Sequence, residues 1–348
     1  MQPAYTDDLF ETMEIQVDPG QTPLRLDKFL IDRMQRTSRN RIQNAIKAGS
    51  VTVDNQIVKP NHKVRPGEKI SVVIPRTLGE EATLQADDIP LDIRYEDDYL
   101  MVVHKPPGMV VHPGVGHRRG TLVNALAFYL GGAEGMPLLP GNQANRVGLV
   151  HRIDKDTSGL LVIAKEEYTM SHLAKQFYDH TVERSYQAIV WGAPDPAAGQ
   201  IEANIMRHPR NRKQYTTTDE PDQGKWAKTH YRTLEDLYYV SLIECKLETG
   251  RTHQIRVHMK SIGHPLFNDG HYGGDRILKG TVYSKYKTFV DRVFSSCPRQ
   301  ALHAKTLAFT HPHTGERLKF ESELPQDMAE VLEAFRKYTK AKRATGNL

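Results

Sequence analysis

The densest cluster of polar residues in the chain is the stretch His151–Gly159, HRIDKDTSG, which runs directly into the apolar segment Leu160–Ala164. A polar loop beside a buried strand is a common position for a catalytic group, because the strand holds the loop rigidly. Within the stretch, Asp154 is flanked by Arg152 and Lys155. Since neighbouring cations favour an ionised carboxylate, Asp154 is a candidate nucleophile or base rather than a general acid.

The same stretch has three other interpretations. In an ordinary turn, the Asp and Ser side chains would bond to their own backbone. A calcium-binding loop is discarded, because its twelfth position is Lys165 where a bidentate Glu is required. A glycosidase would need a second carboxylate, and nothing in the sequence marks one. The local residues leave the turn, the glycosidase and the catalytic loop open.

A second polar cluster is the stretch LETGRTHQIRVH at 247–258. Arg251 follows the predicted end of a strand, from which it could reach into a cleft, and Thr252 can cap the helix that follows. Four histidines, at 253, 258, 264 and 271, raise the hypothesis of a metal site. Their spacings do not place two of them on one helix face, as a zinc pair requires. We therefore expect structural or RNA-facing histidines and no metal.

Three further stretches carry weaker signals. Tyr186, in Arg184-Ser185-Tyr186 at a predicted strand start, is either a core residue or a surface on which a base stacks. The loop RHPRNRKQY at 207–215 contains Arg210, Arg212 and Lys213, which we predict to contact RNA. The Gly-Pro-rich segment 104–116 lacks the GxGxxG spacing, which argues against a dinucleotide fold. No cofactor is expected.

The 348-residue chain has the composition of an ordinary globular protein, with 39% hydrophobic and 26% charged residues. No run approaches the roughly 18 apolar residues of a membrane span, and the acidic start, MQPAYTDDLFETME, lacks the pattern of a secretion signal. The two cysteines, Cys245 and Cys297, stand far apart, which argues against disulfides and a cysteine-rich metal site. We therefore expect a cytoplasmic monomer with no membrane segment.

Positive charge is concentrated in one N-terminal segment. Between Arg25 and Lys69 stand eleven Lys or Arg and four Asp or Glu, a net charge of +7, whereas the whole chain carries +5. Such an excess favours a polyanionic partner, because each phosphate contact releases counterions. A solvated charged face explains the charge equally well.

The chain is predicted to contain two domains. We expect a disordered tail at 1–13, a small domain at 14–75, a polar linker at 76–90, a large domain at 91–340 and a tail at 341–348. In the small domain, apolar residues from Leu26 to Met34 recur at helical spacing, and a second helix begins after Ser38 and ends at Gly49. Short strands at 51–53, 57–58 and 70–74 follow.

The large domain is predicted to be built on strands with helices packed against them. The predicted strands are 99–104, 160–164, 186–190, 240–247 and 301–309, and the predicted helices are 122–130, 171–180, 252–261 and 327–338. There is no regular alternation of strands and helices. The pattern therefore favours an α+β fold with a large mixed, mainly antiparallel sheet flanked by helices.

The small domain resembles the S-four-type RNA-binding domain, which is named after a ribosomal protein. The resemblance rests on Arg25-Leu26-Asp27-Lys28, Ser38-Arg39, Ala48-Gly49 and Val51-Thr52-Val53-Asp54. In that family the second helix lies against RNA. The resemblance implies phosphate contacts by Arg39, Arg41 and Lys47.

The large domain resembles the RluA family of pseudouridine synthases, and is most similar to its members that act on large-subunit ribosomal RNA. The resemblance covers nearly everything from Leu91 to Tyr338, with its most specific match at His151–Leu161. It implies a pseudouridine synthase fold and an RNA isomerase that needs no cofactor.

The family pattern also implies roles for single residues. Asp154 would be the catalytic aspartate, Arg251 the cation that pairs with it, and Tyr186 the ring that stacks on the uracil. Among substrate-binding positions, Arg152 would displace the target nucleotide, Ile255 would line the pocket, and Lys105 and His303 would take less defined parts. Three chemical routes stay open for the aspartate: attack on C1′, attack on the base, or proton removal to a glycal-like intermediate. The target stays open between ribosomal and transfer RNA, and a non-catalytic RNA-binding assembly factor is the alternative to an enzyme.

Overall fold

The computed structural model describes residues 10–34, 37–75, 85–114, 116–131 and 148–346. The strands in this part of the chain are β1 (Phe10–Gln16), β2 (Leu24–Arg25), β3 (Val51–Val53), β4 (Gln56–Ile57), β5 (Lys63–Val64), β6 (Lys69–Pro75), β7 (Asp92–Glu96), β8 (Leu100–Lys105), β9 (Gly148–Leu149), β10 (Ser158–Ala164), β11 (Glu183–Trp191), β12 (Ala198–Arg207), β13 (Tyr215–Thr218), β14 (Lys225–Asp236), β15 (Val240–Leu247), β16 (Leu302–Thr310) and β17 (Arg317–Glu321). The helices are α1 (Leu26–Ile31), α2 (Arg39–Lys47), α3 (Leu122–Gly131), α4 (Glu167–Tyr178), α5 (Gln254–Ser261), α6 (Ser284–Ser296) and α7 (Gln326–Ala344).

The small N-terminal domain follows its local sequence signals closely. The Ser38 hydroxyl accepts a hydrogen bond from the Arg41 backbone N–H and caps α2, as predicted. Gly49 has φ +73°, a left-handed conformation that a glycine adopts without strain after a helix end. A four-stranded sheet in the order β1-β6-β3-β4 packs with the two helices around one apolar core.

Two boundaries of the predicted tails are corrected. Phe10 to Met13 pair with β6 in β1, so this part of the predicted tail is an ordered strand, while residues 1–9 lie outside the described part. At the other end, α7 continues to Ala344, beyond the predicted domain end at 340. The helix continues because its sequence contains no glycine or proline until Gly346.

The predicted linker at 76–90 is also only partly a linker. Residues 76–84 lie outside the described part of the chain, but Asp87 is buried and accepts hydrogen bonds from the Arg119 side chain and from the Gly120 backbone N–H. The Asn124 side chain donates to the Gln85 carbonyl at 2.7 Å. Residues 85–90 are therefore tied to the start of α3.

Asp27 is the polar centre of the N-terminal domain. Its carboxylate has no exposed side-chain surface and accepts hydrogen bonds from three side chains, those of Arg25, Arg39 and Gln43, at 2.8 to 3.2 Å. The hydrogen bond from Arg25 holds the pKa of Asp27 far below its usual range, assisted by those from Gln43 and Arg39. Asp27 therefore joins the start of α1 to α2.

Replacing Asp27 with Asn is expected to destabilise the N-terminal domain by about 2 kcal/mol, because charge-assisted hydrogen bonds to a buried acceptor are lost. The pKa of Asp27 is lower in the folded domain than in the unfolded chain, where it is about 3.9. The ionised carboxylate therefore stabilises the folded domain at pH values above about 3.9, and this stabilisation is lost as the pH falls towards the folded pKa. The acid-induced loss of stability below that value should thus be shallower in Asp27→Asn. Urea unfolding between pH 3 and 7 measures both effects, and Asp54→Asn, at an exposed turn residue, is the control. Equal stability of Asp27→Asn and the parent protein would contradict this account of the domain.

The large domain contains an eleven-stranded sheet. Its main path runs β13-β12-β14-β15-β11-β16-β10-β8-β7, with β17 paired to β16 and β9 paired to β10. The β10–β16 pair is parallel, and the other pairs are antiparallel. The predicted mixed, mainly antiparallel sheet is therefore confirmed.

Successive side chains of the central strands point to opposite faces of this sheet, and each face has its own apolar core. On β11, Tyr186, Ala188 and Val190 point into a core that includes residues of α3 and α5, whereas Ile189 and Trp191 point into a core with α6 and α7. The cleft described below opens on the first face. The segment between Lys279 and Ser296 contains α6.

The N-terminal domain packs against the large domain through α2 and α4. The Ser50 hydroxyl donates to the Ser171 carbonyl at 2.9 Å across this contact. Arg41 is only 4% exposed there, and the negative charges of Glu167 and Glu11 act on its guanidinium. The prediction that Arg41 contacts RNA phosphates is therefore wrong, because the domain contact buries it.

Candidate active site

A cleft of about 540 Å³ opens on the sheet face that includes Tyr186. Its walls come from the loop before β10, the end of α4, the start of β11 and the segment 247–256 around the start of α5. Phe10 and Thr12 of β1 also line it, so the N-terminal domain contributes to the wall. Two stretches that are far apart in sequence, 151–157 and 249–256, meet in this cleft.

The sheet register explains why the loop containing Asp154 lies close to Tyr186. Ser158 and Gly159 pair with His303 and Ala304 of β16, and Ala304 pairs on its other side with Tyr186. Gly159 is required at this crossing, since a Cβ there would lie 2.2 Å from the Ala304 carbonyl oxygen. The loop before β10 is thereby fixed two strands away from the tyrosine.

The Asp154 carboxylate is paired with Arg256. Nη1 of Arg256 donates to Oδ2 of Asp154 at 2.9 Å, and the Asp154 side chain keeps 20% of its surface exposed to the cleft. Arg256 itself is held from behind by the buried Asp269, through Nε to Oδ2 at 2.7 Å and Nη2 to Oδ1 at 2.9 Å. One guanidinium thus lies between two carboxylates, and the bidentate bond to Asp269 fixes its orientation.

These charges set the ionisation state of Asp154. Burial alone would raise its pKa, but the charges of His253 and Arg256 and the hydrogen bond from Arg256 hold the pKa below its ordinary value. Burial lowers the pKa of His253, so its charge acts on Asp154 only at acidic pH, and Arg256 is the cation that is present at every pH. Asp154 is therefore an ionised carboxylate, able to act as a nucleophile or base and not as an acid.

His253 stands at the start of α5 in a left-handed conformation, with φ +58°. Its Nδ1 is 2.7 Å from the Tyr272 hydroxyl, and its Nε2 is 3.9 Å from Oδ2 of Asp154. Such a backbone conformation is unfavourable for a residue other than glycine, and it persists here next to the candidate catalytic group. Thr252, which was predicted to cap the helix, is displaced from that position by His253.

Tyr186 lies in the same cleft as Asp154, and 6% of its surface is exposed. Burial raises the pKa of its hydroxyl, an effect to which the negative charge of Asp154 adds, so the ring is a neutral phenol. A neutral aromatic ring on a rigid strand is suited to stacking against a planar base. The two residues predicted to act together are therefore brought into one cleft.

Arg251 lines the cleft, but the cation bonded to Asp154 is Arg256. Nε of Arg251 donates instead to the Trp226 carbonyl at 3.1 Å. The predicted Asp154–Arg251 pair is corrected to Asp154–Arg256. Both arginines belong to the stretch GRTHQIR, and the position of the α5 start, together with the bond of Arg256 to Asp269, decides which of them turns towards the carboxylate.

Two of the four predicted substrate-binding residues do line the cleft. Arg152 is exposed at its rim, and Ile255 is buried in its wall. The other two, Lys105 and His303, are fully buried away from it. The prediction that they contact substrate is corrected to a supporting role.

The supporting role of Lys105 follows from its three hydrogen bonds. Its ammonium group donates to the carbonyls of Pro106, Met109 and Lys155 at 2.7 to 2.9 Å. Burial lowers the pKa of Lys105 to about 7, an effect that the charges of Asp156 and Asp154 oppose. Because Lys155 directly follows Asp154, Lys105 fixes the backbone of the loop that contains Asp154.

His303 supports the same loop from the other side. Its Nδ1 is 3.0 Å from the Ser158 hydroxyl and its Nε2 is 2.8 Å from the Ser322 hydroxyl, so both ring nitrogens are already engaged. Burial lowers the pKa of His303 to about 3, and the ring is uncharged at neutral pH. It connects β16 to the start of β10.

Arg184 is a cleft residue that the sequence reasoning did not single out as functional. Its guanidinium stacks over the Phe177 ring at 5.2 Å, and its Nε has no hydrogen-bond partner among the described residues. Burial lowers the pKa of Arg184, and no carboxylate among the described residues opposes this effect. The only available signal was its place two residues before Tyr186.

The remaining predicted RNA contacts are accessible. Arg39 keeps 55% of its side chain exposed although it bonds Asp27, and Lys47 is exposed at the end of α2. Arg210, Arg212 and Lys213 lie exposed between β12 and β13. Their role in RNA binding stays a prediction.

Within the described ranges, no three His, Cys, Asp or Glu side chains are grouped so as to hold a metal ion. In the same part of the chain, none of the helices is long and apolar enough to cross a bilayer.

Comparison with known proteins identifies two family models within this chain. The model described as RNA pseudouridylate synthase matches residues 99–261, and the model described as S4 domain, the S-four-type domain above, matches residues 24–70. The second match confirms the predicted N-terminal RNA-binding domain.

Full-length relatives extend these matches. An uncharacterized RNA pseudouridine synthase of Chlorobaculum parvum is 43% identical over 93% of this chain and 98% of its own length. The ribosomal large subunit pseudouridine synthase D of Nitrosomonas europaea is 44% identical over 93% of this chain and 88% of its own length. Among solved structures, human RNA pseudouridylate synthase domain containing 4 superimposes with a TM-score of 0.52 at 24% identity, covering 70% of this chain and 92% of that one, which shows a shared fold.

Proposed function

Because this chain belongs to the RNA pseudouridine synthase family and isomerises uridine within RNA to pseudouridine, we propose that Asp154 is the carboxylate that performs the reaction and that large-subunit ribosomal RNA is the substrate. One observation supports the assignment of Asp154. Asp154 is the carboxylate that opens into the cleft, is paired with a buried guanidinium and lies in the same cleft as a tyrosine ring.

The chemistry requires little beyond such a group. The C1′–N1 bond of uridine breaks, the base rotates, and a C1′–C5 bond forms; C5 then loses its proton and N1 gains one. The oxidation state of the nucleoside is unchanged, so no electron acceptor or energy source takes part. An ionised carboxylate can attack C1′, attack the base or remove a proton, and all three routes need the charge that Arg256 maintains.

The target uridine must leave its stack to reach Asp154, since the carboxylate lies inside a cleft. Extruding a nucleotide costs a few kcal/mol. Stacking of the base on Tyr186 and contacts of the phosphates with Arg152 at the rim offset this cost. Arg184 and Arg251, which line the same cleft, add to the positive potential that a nucleotide meets there.

The choice of large-subunit ribosomal RNA is supported by the names of several relatives at 41% to 44% identity, which are called ribosomal large subunit pseudouridine synthase D. Incubating the protein with unmodified ribosomal RNA and unmodified transfer RNA side by side, then mapping pseudouridines by carbodiimide-stop sequencing, tests it. We expect new pseudouridines in the large-subunit RNA. Modification confined to transfer RNA would refute the proposed target and leave the reaction standing.

The exposed cations of the N-terminal domain are expected to contact phosphates of that RNA. Arg39→Gln/Lys47→Gln should lower the slope of log affinity against log salt by about 1.4 to 1.8, corresponding to two lost phosphate contacts. Filter binding between 50 and 300 mM salt measures the slope. The matched control is Lys319→Gln, which removes an exposed cation of the large domain that is paired with Glu321. An unchanged slope in the double variant would show that this face of α2 does not meet RNA.

A further inference from the structure

A second surface with the chemistry of an RNA contact lies at the far end of the sheet from the cleft. It consists of Tyr238 in the turn between β14 and β15, Leu278, Lys279, Val282 and Tyr283 in the segment before α6, and Lys342 near the end of α7; we call it the distal patch. Tyr283 is 79% exposed and Tyr238 is 42% exposed. Tyrosines so exposed have little role in packing.

The distal patch is held together by ring contacts and hydrogen bonds. Tyr239 is its buried base: its ring lies 4.9 Å from that of Tyr238, 4.8 Å from that of Tyr286 and 5.7 Å from that of Tyr338. The Tyr286 hydroxyl donates to the Lys279 carbonyl at 2.9 Å and so fixes the segment before α6. Tyr238 and the backbone of Lys279 are therefore held by buried tyrosines.

Cations stand beside these aromatic rings. The Lys279 ammonium lies 4.6 Å from the centre of the Tyr238 ring, and the Lys342 ammonium lies 5.7 Å from that of Tyr338. Neither lysine, nor Lys285 in the first turn of α6, forms an ion pair with a described residue. Of the carboxylates nearby, Glu235 is paired with Arg336, and Asp236 accepts the Tyr238 backbone N–H. Asp236 keeps its negative charge, but three lysines outnumber it, so the net charge at the patch is positive.

We propose that the distal patch binds a single-stranded segment of the substrate RNA that flanks the modified uridine. Exposed aromatic rings offer stacking surfaces to bases, while the adjacent lysines meet phosphates. This proposal rests on the RNA substrate and adds a second contact to it.

The distance between the cleft and the distal patch is the length that the RNA must span to contact both. Gly192, directly after β11, donates its N–H to the Tyr239 carbonyl, whereas Tyr186 lies six residues earlier along the same strand. Six residues of strand span about 20 Å. The patch is thus too far from Asp154 to touch the reacting uridine and can be altered without changing the cleft.

The test compares RNA binding by Tyr238→Ala/Tyr283→Ala with binding by the parent protein. For unmodified large-subunit ribosomal RNA, we expect an affinity at least about 30-fold weaker, from the loss of two stacking contacts of about 1 kcal/mol or more each, with an unchanged rate of tritium release at saturating RNA. Tyr129→Ala, a variant at another exposed tyrosine, located on α3, should bind as the parent does. A uridine-containing trinucleotide, which is too short to bridge the two sites, should bind the double variant and the parent equally.

A second pair of variants tests the charge. Lys279→Gln/Lys342→Gln should lower the salt slope of RNA binding by about 1.4. The same measurements with transfer RNA separate this proposal from the proposed target. The ratio of the parent protein's affinities for the two RNAs tests the target. The ratio of the variant's affinity to the parent's affinity for one RNA tests the role of the patch. Equal affinities of Tyr238→Ala/Tyr283→Ala and the parent for both RNAs would overturn the proposal, as would loss of binding to a ribosomal protein with RNA affinity unchanged.

Discussion

Arg256→Gln is expected to lower the single-turnover rate of pseudouridine formation by at least about 100-fold, since the group that orients and charges Asp154 is lost. It should also destabilise the large domain by about 3 to 5 kcal/mol, because the buried Asp269 carboxylate is left without its partner. Arg251→Gln leaves the Asp154–Arg256–Asp269 arrangement intact and should therefore be nearly as stable as the parent protein. Tritium release from RNA containing 5-tritiated uridine, together with urea unfolding, measures both quantities.

A double variant separates the two effects of Arg256→Gln. In Arg256→Gln/Asp269→Asn the buried charge is removed along with its partner, so much of the lost stability should return. The rate should stay low, because Asp154 still lacks its cation. If the rate recovered along with stability, Arg256 would have only a structural role, and the assignment of the Asp154 partner would be wrong.

Local patterns predicted the main elements that surround the site, although α4 and β11 begin four and three residues before their predicted starts at 171 and 186. The alternating apolar residues of β15 predicted its bounds without error, and the apolar run after Gly159 predicted most of β10. Asp154 could be singled out because its polar loop stands directly before that run. In these segments, side-chain periodicity and burial agree, so the sequence alone contains the information.

The partner of Asp154 could not be predicted in this way. It depends on where α5 begins, and His253 adopts a left-handed conformation there that no local propensity favours. It depends also on Asp269, thirteen residues beyond Arg256, which orients the guanidinium only after the chain has folded back. Tertiary contacts, not spacing, select Arg256 over Arg251.

Buried cations were the second source of error. The family resemblances implied that Lys105 contacts substrate and that Arg41 contacts phosphates, roles that need exposed side chains, as Lys and Arg usually have. Lys105 instead donates to three carbonyls, one of them that of Lys155 beside Asp154, and Arg41 is covered by the contact of α2 with α4. Neither contact has a local sequence signature.

Asp154→Asn is expected to lower the rate of pseudouridine formation by about 10⁴-fold or more, comparable to the loss of a nucleophile in other enzymes. The amide has the shape of the carboxylate and can still accept the hydrogen bond from Arg256, so the fold and the cleft persist. It has no charge with which to attack C1′ or the base, or to remove a proton. Affinity for RNA should change little, because phosphate and stacking contacts lie elsewhere.

The lowered pKa of Asp154 adds a dependence on pH. A depressed pKa means that the carboxylate is ionised throughout the range above the ordinary Asp value of about 3.9 and gains a proton only below it. Turnover that depends on this group should thus show no loss between pH 8 and 5 that can be assigned to Asp154. Asp156→Asn, two residues away and outside the cleft lining, should keep its activity over the same range.

Single-turnover tritium release at saturating ribosomal RNA, measured for the parent protein, Asp154→Asn and Asp156→Asn, tests the catalytic role of Asp154 most directly. We predict release by the parent and by Asp156→Asn, and none above background by Asp154→Asn at equal RNA occupancy. Release by Asp154→Asn at a rate within tenfold of the parent would contradict the assignment and require another group in the cleft to perform the chemistry.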